Sequence, residues 1–183
     1  MIRELMDELP GFATTGGQER FVLRHGISFG ARPQDVVDEE RKNGIRHRKE
    51  GMTDAEGMLF EAVEDFQLNY VYPKAAADLN LAGIPLYRFE YDFDRKEKRL
   101  YRFWYVFRLG EGSSPWFALS LALRKKYGDP VPDISAGQIG SVTWKNWKHN
   151  RLCWKLRDIG GRTVAVNLWN SEPGVCFLMY RRE

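Results

Sequence analysis

Cysteine is scarce in this chain, with Cys153 and Cys176 the only two among 183 residues. There is no CxxC pair and no Cys/His cluster, which argues against a structural zinc. Histidine is nearly as rare. His25, His47 and His149 stand far apart, and none has a HExxH or His-x-His neighbour. Long apolar runs are missing too, since nothing approaches the ~20 residues of a membrane span. The segment Met1–Pro10 carries Arg3, Glu4, Asp7 and Glu8 and lacks the apolar stretch of a signal peptide. The cytoplasm is the expected compartment; export is the alternative if a signal peptide has been removed.

The net charge of +3 is mild, and admits an anionic partner without demanding one. Gly110-Glu111-Gly112-Ser113-Ser114 precedes a helix, where backbone N–H groups can hold an anion. It has no P-loop lysine, however, and Glu111 would repel phosphate. The carboxylates of Asp35–Glu40 suit a helix N-terminus, and those of Glu90–Asp94 suit the polar face of a strand. No catalytic residue, metal ligand or cofactor site is expected. The run Trp144–Arg151 interleaves aromatics with bases as nucleic-acid surfaces do, but without a known module nucleic acid is not the expected partner.

What the chain has in quantity is aromatic residues, 14% against 29% charged, the mark of a folded protein. They concentrate between Pro85 and Pro130. Tyr87, Phe89, Tyr91 and Phe93 alternate with Arg88, Glu90 and Asp92, and after Asp94–Arg99 the alternation resumes with Tyr101, Phe103, Tyr105 and Phe107. This period of two predicts a hairpin with eight rings on one face. At roughly 150–250 Å² per ring, that face needs a cover. A helix follows, with Ser114 as cap and Pro115 in its first turn. Trp116, Leu119, Leu123 and Tyr127 form its stripe, widened by Phe117 and Leu121. Arg124, Lys125 and Lys126 favour its C-terminus, and Gly128 and Pro130 stop it.

Elsewhere Ile2–Leu9 reads as a short helix, 1–20 otherwise as a loose arm, and Phe21–Phe29 as a strand. Pro33 opens a helix with Val36 and Val37 inward, ended by Gly44, and Arg46–Lys49 reads as an exposed basic stretch. Asp54–Asp65 reads as a helix, with a strand beginning at Leu59 as the alternative. Strands follow at Phe66–Tyr72 and Leu79–Leu81, then at Val142–Trp147, Arg151–Arg157, Arg162–Trp169 and Val175–Arg182. The expected fold is α+β: one domain over 1–183, an antiparallel sheet of about six or seven strands with helices on one face. Element order hints at two halves, 25–109 and 114–182. Cys153 and Cys176, two strands apart in a meander, would lie about 10 Å apart, beyond the ~7 Å that a disulfide spans. Both are expected as free thiols.

Phe29-Gly30 before a helix containing Val36, then YRFEYDFDRKEKRLYRFWYVF, LRKKYGDP and alternating strands, resemble the β-lactamase-inhibitory-protein-like and outer-membrane lipoprotein (BamE/SmpA) superfamily of small bacterial proteins. The resemblance spans roughly 25–182 and implies protein binding, not catalysis. One departure is that outer-membrane members carry a lipidated cysteine near the N-terminus, whereas the first cysteine here is Cys153.

Alternation sends Arg88, Arg102, Trp104, Val106 and Arg108 to the hairpin's other face. Trp and Arg are enriched at binding hot spots, so Arg88, Arg102, Trp104 and Arg108 are the candidate protein-binding residues. The competing reading covers Trp104 with another segment and pairs the arginines with Glu90 and Asp92. As a surface residue, Arg102 would cost under about 1 kcal/mol on truncation to alanine. A binding module for an unidentified protein is the leading expectation. The alternatives are a hydrolase or transferase whose site is assembled from scattered residues, and a nucleic-acid binder using 144–151.

Overall fold

The computed structural model describes residues 3–15, 17–48, 57–62, 67–71, 79–108, 115–131, 151–157, 161–172 and 174–183. In chain order the strands are β1 (Arg3–Glu4), β2 (Gly11–Thr15), β3 (Gln18–Val22), β4 (Arg46–Arg48), β5 (Met58–Ala62), β6 (Gln67–Val71), β7 (Leu79–Leu81), β8 (Ile84–Phe93), β9 (Leu100–Arg108), β10 (Arg151–Arg157), β11 (Thr163–Glu172) and β12 (Val175–Arg182). The helices are α1 (Pro33–Lys42) and α2 (Trp116–Tyr127), with a 3-10 turn at Leu5–Glu8.

Seven strands of five residues or more form one antiparallel ladder in the order β10-β11-β12-β9-β8-β6-β5. Short β4 adds in parallel at the β5 edge, β7 branches from β8, and β1 pairs β7. The fold is the expected α+β arrangement. Strand register decides what each face carries. One row crosses six strands as Trp154, Val166, Tyr180, Phe103, Tyr91 and Leu68, every member at most 2% exposed. This row is the middle of the core.

Only six of the eight expected rings are buried: Phe89, Tyr91, Phe93, Phe103, Tyr105 and Phe107. The other two sit where the β8–β9 register slips. Leu86 pairs Phe107 and Arg88 pairs Val106, leaving Tyr87 as an extra residue on β8; Asp92 pairs Arg102 and Phe93 pairs Leu100, leaving Tyr101 extra on β9. A bulged residue has no opposite number and is released from strict alternation. Tyr87 is accordingly exposed and Tyr101 half-buried.

Among the described residues three elements cover the core face, two more than the hairpin–helix unit provides. α2 lies over β10 and β11, and Tyr127 reaches Tyr180 with a 3.0 Å hydroxyl contact while donating to Pro10 O. Leu119 and Leu123 face inward, whereas Phe117 and Leu121 are 67% and 52% exposed, so the predicted stripe is narrower than expected. Trp154 Nε1 donates to Gly128 O, holding the helix C-terminus. Gly128 itself, at φ 81°, takes a conformation that only glycine adopts cheaply.

α1 covers the hairpin through a buried network. Arg24 Nε donates to Glu40 Oε1 at 2.7 Å, and the Tyr91 hydroxyl donates to the same oxygen at 2.5 Å. The Arg24 guanidinium lies 4.0 Å from the centre of the Phe89 ring. Its Nη2 is 2.9 Å from His25 Nε2; a guanidinium can only donate, so that ring nitrogen accepts. Burial, followed by the Glu40 charge, pushes the Tyr91 hydroxyl far above its ordinary range.

The third cover is the β2–β3 hairpin, where a loose arm was expected. Phe21 packs edge-on against Phe12 and within 6.1 Å of Tyr180. The strand expected over Phe21–Phe29 ends at Val22 and turns back at Arg24–Ile27, with positive φ at His25 and Gly26. Ile2–Leu9 is not one helix, since a short strand precedes its 3-10 turn. The segment read as a helix from Asp54 is strand β5 over Met58–Ala62, because Leu59 pairs Tyr70 on the covered face. Arg46–Arg48 is a strand, and the strand expected at Val142–Trp147 lies outside the described residues. Cys153 and Cys176 are both free and buried; the register puts them on opposite faces of the sheet. Among the described residues no helix is long and apolar enough to cross a membrane.

Candidate binding face

Both helices and the β2–β3 hairpin pack on one side, so the interest lies on the other. Three register rows cross it. The central row is Cys153, Asn167, Met179, Trp104, Glu90 and Asn69. On one flank lie Lys155, Ala165, Arg181, Arg102, Asp92 and Gln67; on the other, Arg151, Trp169, Phe177, Val106, Arg88 and Val71.

Trp104 is half-buried at the centre. Its ring meets Trp169 edge-on at 5.2 Å and Phe177 at 6.3 Å, and those two stack at 5.5 Å. Such pairs contribute about 0.5–1.5 kcal/mol each beyond area burial. All three rings retain some exposure, while Val106 and Met179 among them are buried.

Asp92 anchors the polar side. Only 2% exposed, it accepts through Oδ2 from Trp104 Nε1 at 2.6 Å and from Arg102 Nε. The Arg102 guanidinium lies 4.8 Å from the Trp104 ring and 5.3 Å from that of Tyr101. Arg88 Nε is 2.7 Å from Glu90 Oε1. Burial raises the Glu90 carboxyl above its ordinary value, and the Arg88 charge offsets part of that rise. Asp92 Oδ1 and Asn69 Oδ1 are buried acceptors that receive no hydrogen bond from the described residues.

The structure therefore brings Arg88, Arg102 and Trp104 together. Arg108 lies four residues beyond Trp104, about 13 Å along the strand. There it is exposed and covers the bulged Tyr87 at 5.6 Å. Each bulge thus hands a tyrosine to an arginine of the face. Sequence reading missed Trp169 and Phe177, and named Asp92 only as a partner of the arginines, which it is for Arg102. The first two carry a legible signal, since alternation in β11 and β12 opposes them to Leu168 and Leu178. Asp92 carries none: alternation places it correctly on the polar side, and only the fold reveals its burial.

Of the other candidate features, 110–114 and Trp144–Asn150, with His149, lie outside the described residues. His25 belongs to the Arg24 turn and His47 to β4. No group of three or more His, Cys, Asp or Glu suited to a metal occurs among the described residues. Comparison of the chain with family models, curated proteins and solved structures finds no match to any of them.

Proposed function

We propose that this protein is a non-enzymatic binding module that engages another protein through the face centred on Trp104, with Arg102 and Arg88 beside it and Arg108 at its rim. The observation that carries this reading is the one-sided layering. Both helices and the β2–β3 hairpin lie on the core face, and the opposite face presents three half-buried rings framed by arginines. Aromatic and arginine side chains on a rigid sheet bring large contact area with little ordering entropy. The superfamily resemblance read from the sequence implies the same kind of activity.

The test is capture and cross-linking from the source cell with immobilised wild type, Trp104→Ala and Phe117→Ala. Phe117 is the control, an exposed ring on the opposite side of the molecule. A partner retained by wild type and Phe117→Ala but lost by a folded Trp104→Ala supports the module. A partner lost by Phe117→Ala and kept by Trp104→Ala refutes the choice of face.

A further inference from the structure

The most constrained charged group on this face is Arg102. Its Nε is tied to a carboxylate that is itself 2% exposed, and its guanidinium lies close to the Trp104 and Tyr101 rings. The side chain still keeps 30% of its exposure. Nε supplies its one hydrogen bond, and its two terminal nitrogens have no acceptor among the described residues. An arginine held in this way has already lost the rotamer freedom that usually opposes binding, and its outer edge is a two-pronged donor.

We propose that Arg102 reads a single carboxylate, an aspartate or glutamate side chain on an acidic segment of the protein partner. The inference rests on the function proposed above and adds its chemistry. A guanidinium fork matches a planar carboxylate or a phosphate in geometry, so local charge decides between them. Around this site Arg102, Arg88, Arg181 and Lys155 stand against Asp92, Glu90 and Glu183, which leaves one net positive charge on this part of the face. That balance suits a monoanion. A phosphate dianion would meet Asp92 and Glu90 with twice the charge, in surroundings drier than bulk water. The Trp104–Trp169–Phe177 cluster lies on the flank away from Lys155 and Arg181, so an apolar residue next to the acidic one has a surface to cover.

The experiment uses the full chain and three probes: a capped peptide of alternating glutamate and leucine, its glutamine–leucine counterpart, and inorganic phosphate. The readouts are the NMR signals of Arg102 Nε–H and Trp104 Nε1–H. The glutamate peptide is expected to move both signals saturably, at least tenfold more tightly than the glutamine peptide or phosphate. Arg102→Lys, which keeps the charge and loses the fork, is expected to weaken that binding about tenfold with an otherwise unchanged spectrum. Equal binding of the two peptides, stronger binding of phosphate, or an Arg102→Lys variant that binds like wild type would overturn the inference. The peptide comparison on wild type decides the matter even if the variant does not fold. Should the acidic probe fail while captured partner still depends on Trp104, the carboxylate assignment falls and the binding face stands; if no capture depends on Trp104, the face itself falls.

Discussion

Replacing Glu40 by glutamine removes the charge that α1 contributes to the core. Glu40 is wholly buried and Arg24 is 7% exposed, so the guanidinium would lose the carboxylate it faces inside the protein. Stranding one member of a buried pair costs about 3–5 kcal/mol. Part of that loss comes from the Tyr91 hydroxyl, which exchanges a charged acceptor for a neutral one, a drop of roughly 1 kcal/mol. A second variant separates the stranded charge from general disturbance of packing. Arg24→Met, Glu40→Met and Tyr91→Phe together remove both charges and the hydroxyl bonded to them at nearly constant volume, and are expected to lie within about 2 kcal/mol of wild type. Urea unfolding at pH 7, followed by tryptophan fluorescence with the m-value checked for constancy, measures both. A Glu40→Gln variant within about 1 kcal/mol of wild type, or a triple variant less stable than the single one, would refute the account of how α1 is held.

The core row predicts that Phe103→Ala destabilises by about 3–5 kcal/mol, whereas Phe117→Ala on the outer side of α2 changes unfolding by no more than about 0.5 kcal/mol. Arg102→Ala leaves the buried Asp92 oxygen with only the Trp104 N–H, so its cost in denaturant rises to about 1–3 kcal/mol, above the surface value expected from sequence. Burial is the first cause holding Tyr91, Tyr127 and Tyr180 protonated above their ordinary value of 10.0. Below that pH both folded and unfolded chains keep these protons. Above it only the unfolded chain ionises, so stability should fall by up to about 1.4 kcal/mol per pH unit per tyrosine; unchanged urea midpoints from pH 9 to 11 would contradict this. Thiol titration should find two reactive cysteines only on unfolding, because Cys153 is 9% exposed and burial pushes the Cys176 thiol up to about 12.

The parts of this fold written in local pattern were legible. Period-two alternation with a charged turn marks β8 and β9, and basic residues followed by Gly128 and Pro130 close α2 at the right place. Features that depend on distant chain were hidden. Gly11, Thr14, Thr15 and Gln18 read as a loop, and become a hairpin because Phe12 and Phe21 find each other and Tyr180. Met58, Leu59 and Ala62 fit either periodicity, and pairing with β6 decides for a strand. The site residues could be placed on the correct side by parity alone. Parity could not reveal the two bulges, which turn Tyr87 and Tyr101 from core rings into platforms for Arg108 and Arg102.

The strand order also bears on how the protein reaches its native state. β9 pairs with β8 across a short turn, but its other edge pairs with β12, so Phe107 meets Cys176 across about 70 residues of intervening chain. Closing a loop of that length costs about 2 kcal/mol more in chain entropy than closing the β8–β9 turn. The β4–β9 portion and the β10–β12 meander have mostly local contacts, and the β9–β12 ladder is the non-local one. Its formation is therefore expected to limit the folding rate, as distant strand pairing generally does. Until that ladder zips, the backbone donors and acceptors along one edge of β9 stand unpaired beside Phe103, Tyr105 and Phe107, an edge open to other chains.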